Sequence, residues 1–302
     1  MKTRELAFYL NPCGPDRRAI MKLLAEAGVR RIGTDGFPWQ VDKDRPAVDA
    51  FLRDCRDFGL SVYSMHGMLS LLARADSDMP ADLMTAHVRD LQRLAVLGGK
   101  TVVYHACWMR DVTAEQIDTA IAAVGWDAFV ARYAKALRDL AAAACELGLD
   151  IVVENIWHSV HSQSVAGYMD IIRAADAPNV GILLDSGHAH LAGKSVGDEI
   201  RTAGSLLRDT HFHDNVGCRN GVFFDQHIPP GLGTIDWHDA CRALNEINFP
   251  GPVVFEGVLG PGDSIEKGRF GGQLSHRDII EITIRNWRAF EALASQAPPA
   301  SA

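Results

Sequence analysis

The chain has 302 residues, of which 47% are hydrophobic and 23% are charged, a composition typical of a soluble globular protein that can bury a substantial core. Its 30 basic and 38 acidic residues leave a formal net charge of −8, which opposes attraction to a phosphate backbone and makes a nucleic-acid partner unexpected. No apolar run reaches the roughly 18 residues needed to span a bilayer, and the opening MKTRELAFYLN lacks the apolar core of a signal peptide, so we expect a cytoplasmic protein without a membrane segment.

Short apolar segments rich in β-forming residues recur along the chain and predict eight strands. They lie at 5–10, 31–36, 60–65, 101–106, 150–155, 179–185, 209–214 and 251–257. Their apolar residues would face both sides of a sheet, as is usual for parallel strands that are covered on both faces.

The segments between these strands have apolar residues at three- and four-residue spacing, which predicts helices. Three of them, RRAIMKLLAEAG, VDAFLRDCRDFG and ADLMTAHVRDLQRLAVLGG, end in glycine, the residue preferred at a helix C-cap. A last helix begins near Ser275, with Asp278 three residues on in a capping-box-like pattern.

The alternation of eight strands with helices predicts a single-domain (β/α)8 TIM barrel. No GxGxxG motif follows the first strand, which disfavours an open doubly wound sheet that binds a dinucleotide. We predict that the barrel covers residues 1–294 and that the tail SQAPPASA, 295–302, is disordered.

Polar residues stand at the C-terminal ends of six predicted strands, where a barrel of this type carries its chemistry. In chain order they are His66, His105, Glu154, Asp185, His211 with His213, and Glu256. Burying unpaired charge costs several kcal/mol, so carboxylates and histidines that converge on one rim need a shared partner, and a divalent cation is the simplest one. Oxygen and imidazole ligands without thiolate suit Zn²⁺, Mn²⁺, Co²⁺ or Mg²⁺, and the six cysteines form no CxxC pair.

The stretch THFHDN, residues 210–215, carries two histidines one residue apart. Alternation along a strand places His211 and His213 on the same side. We expect at least one of them to reach the metal, while the other binds substrate or orients a metal ligand from behind.

Two further residues are candidate substrate contacts. Asp35, at the end of the second predicted strand, either orients a substrate hydroxyl or caps the loop to Pro38. Trp108 lies in one of the two longest connecting segments, 107–126. The remaining histidines are interpreted as surface or packing residues: His87, His158, His161, His190, His238 and His276.

Five motifs follow one another along the chain: VVENIW, LLDSGHAH, HFHDN, DQHIPPGLGTIDW and VVFEGV. With them the chain resembles the xylose-isomerase-like superfamily of TIM barrels, which contains sugar isomerases and epimerases, inosose dehydratases and endonuclease IV. The resemblance covers nearly the whole chain, and the motifs fall in the right order on the right strands.

Similarity to the ketose 3-epimerases implies that one metal is held by Glu154, Asp185, His211 and Glu256. The metal would bind two neighbouring sugar oxygens and stabilise an enediolate, while Glu154 and Glu256, on opposite faces, would be the catalytic pair that moves the proton. His188, in an Asp-x-x-His element with Asp185, would contact a substrate oxygen.

Similarity to endonuclease IV implies a larger, three-metal set, and a suitable ligand stands at every position of it. The three sets are His66, His105 and Glu154; Glu154, Asp185, His211 and Glu256; and His188, Asp225 and His227. Such a site would hydrolyse a phosphodiester or another ester with a metal-bound hydroxide.

We therefore predict an enzyme that isomerises or epimerises a carbohydrate, polyol or keto-sugar by proton transfer. It would hold one divalent metal, or two or three if the extended ligand set is occupied. The alternatives are a two- or three-metal hydrolase and, least favoured, a non-catalytic binding barrel. No cluster of Arg or Lys stands at the strand ends, so we expect an unphosphorylated substrate. The sequence leaves a homo-oligomer open.

Overall fold

Eight parallel strands form the centre of the computed structural model, which describes residues 3–35, 45–67, 70–223, 225–259 and 274–296. The eight parallel strands are β1 (Leu6–Leu10), β2 (Arg31–Asp35), β3 (Ser61–His66), β4 (Thr101–His105), β5 (Asp150–Glu154), β6 (Val180–Asp185), β7 (Leu207–His211) and β10 (Val253–Phe255). All eight predicted strands are confirmed. A two-stranded antiparallel hairpin, β8 (Cys218–Arg219) with β9 (Val222–Phe223), lies after β7 and was not predicted, because two-residue strands leave no periodic pattern.

The strands pair in the order β10-β1-β2-β3-β4-β5-β6-β7. The remaining gap is bridged at Phe212, whose N–H donates to the Val254 carbonyl at 2.8 Å and whose carbonyl accepts from the Glu256 N–H at 3.3 Å. The sheet therefore forms a nearly closed barrel, and the predicted (β/α)8 fold is confirmed.

The prediction was wrong about the end of the seventh strand, which was expected at 209–214. The observed β7 ends at His211, and Phe212 and Asp214 form only isolated bridges. The chain leaves the ladder there because Asp214 pairs antiparallel with Ile228 of the following segment.

Helices follow the strands and cover the barrel. They are α1 (Arg17–Glu26), α2 (Arg45–Phe58), α3 (Ala81–Leu97), α4 (Ile117–Val124), α5 (Trp126–Glu146), α6 (Val165–Ala175), α7 (Ser186–Leu191), α8 (Val196–Ala203), α9 (Trp237–Glu246) and α10 (His276–Ala294). The longest, α5, buries Phe129, Tyr133, Leu137 and Leu140 on one face, as its three- and four-residue apolar spacing requires. The capping box of Ser275 and Asp278 begins α10 as predicted.

The main hydrophobic core lies between the sheet and the helices, and two small clusters fill the barrel interior. One interior cluster contains Val103, Val152 and Leu183 from three neighbouring strands, so the barrel is packed inside and is not a pore. No helix among the described residues is long and apolar enough to cross a membrane. Of the predicted disordered tail only Ser295 and Gln296 are described, so that prediction lies largely outside the described residues.

Candidate metal centre

The predicted strand-end residues meet at one mouth of the barrel. His66, His105, Glu154, Asp185 and His211 are each the last residue of their strand, and Glu256 follows β10 directly. Strand register sets their common height, because His105 pairs with Glu154 and Asp185 pairs with His211 in neighbouring strands. Side chains far apart in sequence therefore share one rim.

The central group consists of Glu154, Asp185, His211 and Glu256. Each supplies one ligand atom, and these four atoms all lie within 4.8 Å of one another. His211 Nδ1 lies 3.3 Å from Glu154 Oε1 and 3.2 Å from Glu256 Oε1. Glu154, Asp185 and His211 are almost completely buried, at 1%, 0% and 0% exposure, so three of the four side chains are held away from water, while Glu256 is partly exposed.

Asp185 is placed by its own local sequence. Its carboxylate caps α7 by accepting from the His188 N–H at 2.7 Å. The side chain of Asn155 holds its backbone from the other side, accepting from the Asp185 N–H at 2.8 Å and donating to the Asp185 carbonyl at 2.9 Å. Sequence reasoning missed Asn155; the signal was a buried amide directly after Glu154 in the motif VVENIW.

A second set, the His66 group, contains His66, His105 and Glu154. Glu154 Oε2 lies 3.2 Å from His66 Nε2 and 3.6 Å from His105 Nε2. Glu154 therefore belongs to both the central group and the His66 group, which the sequence analysis expected of a multinuclear site.

A third set, the His227 group, contains His213, Asp225 and His227. His227 Nε2 lies 3.1 Å from Asp225 Oδ2, and the rings of His213 and His227 stack with centroids 3.7 Å apart and planes 8° apart. His188 Nε2 lies 3.8 Å from Asp225 Oδ2. The predicted third set had His188 where this group has His213, and His188 instead forms a further group with Asp185 and His213.

His213 has no exposure to solvent and its Nε2 lies 3.2 Å from Asp185 Oδ1. One face of its ring is covered by His227. Of the two roles that the sequence left open, this geometry favours support of Asp185 over contact with substrate.

The pKa values of the central carboxylates move in opposite directions. Burial raises the pKa of Glu256 well above its usual value, and the charges of Glu154, Asp185 and Asp225 raise it further. Burial also acts to raise the pKa of Glu154, but His211 and His66 outweigh it and lower that pKa. Without a cation, Glu256 is therefore the carboxyl that keeps a proton.

Every ion-pair partner that the described residues supply to Glu154, Asp185, Asp225 and Glu256 is a histidine. Among those residues, no Arg or Lys forms an ion pair with Glu154 or Glu256. Among them, His211 Nε2 and Asp225 Oδ1 are also buried without a hydrogen-bond partner. Converging carboxylates, imidazoles and unsatisfied buried atoms fit a divalent cation.

The predicted substrate contacts lie around this rim. Asp35 Oδ1 accepts from the Tyr9 hydroxyl at 3.2 Å, while the predicted capped loop to Pro38 lies outside the described residues. The Trp108 ring lies 5.6 Å from the His105 ring and 5.8 Å from the His158 ring.

An aromatic strip joins two candidate ligands. From Trp108 it continues through His158 to Trp157, with ring centroids 4.1 Å apart, and Trp157 lies 4.6 Å from His188. From the sequence, His158 was expected to be a surface or packing residue, and Trp157 was not among the candidate site residues. The aromatic pair Trp157 and His158, three and four residues after Glu154 in ENIWH, was the available signal.

Other histidines pack as expected. His87 is fully buried against Tyr104 at 5.0 Å, and burial lowers its pKa to about 4. His161 stacks on Trp126 at 4.4 Å, and His190 Nε2 lies 2.8 Å from the Thr234 hydroxyl.

A family model described as a xylose isomerase-like TIM barrel matches residues 21–269. The chain belongs to this family. The match covers the strands that carry the central group, so the resemblance inferred from the motifs is confirmed.

Two relatives of this chain are named as a sugar epimerase and an inosose isomerase. A D-psicose 3-epimerase of Agrobacterium fabrum is 31% identical over 137 residues, which are 45% of this chain and 44% of that protein. An inosose isomerase of Bacillus licheniformis is 31% identical over 124 residues, 40% of this chain and 44% of that protein. The matched stretch spans less than half the length of these curated relatives.

Solved structures share the fold over nearly the whole chain. The crystal structure of a D-psicose 3-epimerase in the presence of D-fructose has a TM-score of 0.71 at 19% identity, covering 97% of this chain and 100% of that one. A structure of the IolI protein with a bound zinc atom has a TM-score of 0.68 at 17% identity, covering 96% and 99%. At these identities the likeness shows that this xylose isomerase-like chain has the common barrel fold.

Proposed function

We propose that this protein is a divalent-metal-dependent isomerase or epimerase of a carbohydrate, polyol or keto-sugar. The observation that carries the proposal is the central group, in which His211 Nδ1 lies 3.3 Å from Glu154 Oε1 and 3.2 Å from Glu256 Oε1 at the mouth of the barrel. A divalent cation such as Zn²⁺, Mn²⁺, Co²⁺ or Mg²⁺ held by this group would polarise two neighbouring substrate oxygens and stabilise an enediolate. The named activities of the relatives support the same reaction class.

Glu154 and Glu256 would move the proton. Acid and base roles in one site require two groups whose surroundings separate their pKa values, and here the pKa of Glu256 is raised while that of Glu154 is lowered. Without a cation, Glu256 thus holds a proton where Glu154 stays ionised, and a bound cation would displace the Glu256 proton. Removal of a proton from the carbon beside a carbonyl and its return on the other face, or at the neighbouring carbon, gives epimerisation or isomerisation.

Substrate hydroxyls would meet polar and aromatic side chains at the rim. Asp35 and His188 offer hydrogen bonds, and Trp108 offers an apolar ring face. Among the described residues, the ion-pair partners of the site's carboxylates are histidines and not Arg or Lys. We therefore propose an unphosphorylated substrate. We assign His213 to supporting Asp185, since it is fully buried.

A two- or three-metal hydrolase is the second candidate. It is favoured by the His66 group and the His227 group, which flank the central group with ligand atoms within 4.8 Å in each. Two or three cations held there would activate water for attack on a phosphodiester or another ester.

Metal counting combined with an activity screen tests both candidates. The metal-loaded protein is analysed for bound ions and assayed in D₂O on ketoses, keto-sugars, inososes and phosphodiesters. One ion per chain and deuterium incorporated at a substrate carbon support the isomerase. Two or three tightly held ions with ester hydrolysis support the alternative, and a chain that binds no ion and turns over no substrate would falsify both.

A further inference from the structure

Asp214 lies beside the candidate centre without belonging to any of its ligand groups. It is fully buried, and its carboxylate accepts four hydrogen bonds. They come from the N–H groups of Asn215 at 2.9 Å, Gly231 at 2.8 Å and Ile235 at 3.2 Å, and from the Trp237 indole at 2.8 Å. Four donors fill the acceptor positions of a carboxylate. Three of them come from residues 231–237, so this side chain anchors the segment that follows.

The segment 228–237 wraps closely around that carboxylate. The backbone of Asp214 pairs with Ile228 in both directions, at 2.7 and 3.0 Å. A side chain at Gly233 would overlap the Asp214 carboxylate and the Asn215 carbonyl. The backbone donors of Gly231 and Ile235 and the indole donor of Trp237 therefore leave little freedom in where this segment runs.

His227 immediately precedes the paired residue Ile228 and has a backbone φ of +44°. Such a left-handed conformation is unfavourable for a residue with a side chain and persists only where the surroundings impose it. The imposed conformation stacks His227 on His213 at 3.7 Å and places its Nε2 3.1 Å from Asp225 Oδ2. Gly257 leaves the space on the other side, because a side chain there would overlap the His227 ring.

We propose that Asp214 is a positioning residue that holds His227, and Asp225 with it, against His213 at the edge of the candidate centre. The proposal deepens the proposed function, in that the site it serves is the one assigned there. Asp214 acts on that site through the backbone of the segment it folds.

The carboxylate is required because all four of its contacts are donors. An amide in its place would turn an NH₂ group towards at least one N–H donor and leave that donor unsatisfied and buried. Asp214→Asn should therefore loosen the segment while keeping the volume of the side chain. Asp236→Asn is the matched control, since Asp236 caps α9 in the same segment and Asn caps helices equally well.

Hydrogen exchange measures the positioning without any assay of activity. In Asp214→Asn we expect amides of 228–235 to exchange about 10- to 100-fold faster, as the loss of a buried hydrogen bond predicts. Exchange in β4 and β5 should not change, and Asp236→Asn should match the wild type. Unchanged exchange in 228–235 would overturn the proposal. Trp237→Phe removes one donor only and should give a smaller increase in the same amides, which decides the question if Asp214→Asn does not fold.

A double-mutant cycle with His227→Ala tests whether Asp214 acts through His227. We expect Asp214→Asn to lower kcat/KM at least about tenfold in the wild type and to have no further effect once His227 is removed. If the two substitutions lower kcat/KM independently, so that the fold-changes multiply in the double variant, Asp214 acts by another route and the proposal is overturned. If the wild-type chain turns over no carbohydrate, the proposed function fails, whereas the exchange comparison still decides the positioning by Asp214.

Discussion

The Nε2 atoms of His66 and His105 lie 3.1 Å apart. Two imidazole nitrogens at this distance share either a proton or a cation, since two bare lone pairs would repel. Burial lowers the pKa of His105 to about 3; burial also acts to lower the pKa of His66, but the hydrogen bond that His66 donates to the Glu154 carboxylate outweighs it and raises that pKa. His66 is thus the proton donor when no cation is present, and the pair lies outside the central group.

Replacing His66 distinguishes the two candidate functions. In a single-metal isomerase, His66→Ala should leave kcat/KM within about threefold of the wild type and should leave one ion per chain, because the four ligands of the central group remain. Elemental analysis and steady-state kinetics on the same preparation measure both quantities. A loss of one bound ion together with a large fall in kcat/KM would favour the multi-metal hydrolase.

Glu256→Gln should keep the fold and abolish turnover. The amide resembles the protonated carboxyl that burial and neighbouring carboxylates impose on Glu256, so circular dichroism and thermal unfolding of the metal-free protein should match the wild type. Turnover should fall by about 10²- to 10⁴-fold, the usual contribution of a proton-transferring group. Glu281→Gln on the exposed face of α10 is the control, and unchanged activity in Glu256→Gln would remove Glu256 from the acid–base role.

Metal binding should release protons and strengthen as the pH rises. Because burial raises the pKa of Glu256, the metal-free carboxyl holds its proton to a higher pH than an ordinary glutamate does, and a cation must displace that proton before the oxygen can bind it. Calorimetric titration of Mn²⁺ in two buffers with different ionisation enthalpies gives the number of protons released. The wild type should release about one proton more than Glu256→Gln; equal numbers would show that another group supplies it.

The sequence allowed the barrel and the meeting of its polar strand ends to be predicted because both follow from local rules, whereas the choice of the four residues of the central group came from the resemblance to the ketose 3-epimerases. Strand and helix patterns identify the alternation, and the convergence of parallel strand ends then brings Glu154 next to His211 although 57 positions separate them. The end of β7 depends instead on the backbone of Asp214 pairing with Ile228, and the stack of His213 on His227 depends on the Asp214 carboxylate meeting donors 17 to 23 residues away. No periodic pattern encodes that meeting, so only the structure shows it.

An ion pair away from the site should set part of the acid stability. Asp239 in α9 accepts from both terminal nitrogens of Arg201 in α8, at 3.0 and 2.8 Å, and from Arg242 at 2.7 Å. The hydrogen bonds from Arg201 lower the pKa of Asp239 from 3.8 to about 2. A carboxylate whose folded-state pKa lies below its unfolded value stabilises the fold above about pH 4 and loses that contribution as the pH falls towards 2.

Asp239→Asn should therefore lower the free energy of unfolding by about 1–2 kcal/mol at pH 7, after allowance for solvent screening of a partly exposed pair. Urea denaturation at pH 7 and near pH 2.5 measures the effect, and the difference from the wild type should shrink at the lower pH. Asp198→Asn is the control, because Asp198 contacts the same Arg201 with a side chain that is 74% exposed and should cost less than about 0.5 kcal/mol. If Asp239→Asn lowers the free energy of unfolding equally at both pH values, the loss comes from packing between α8 and α9 and not from the charge of Asp239.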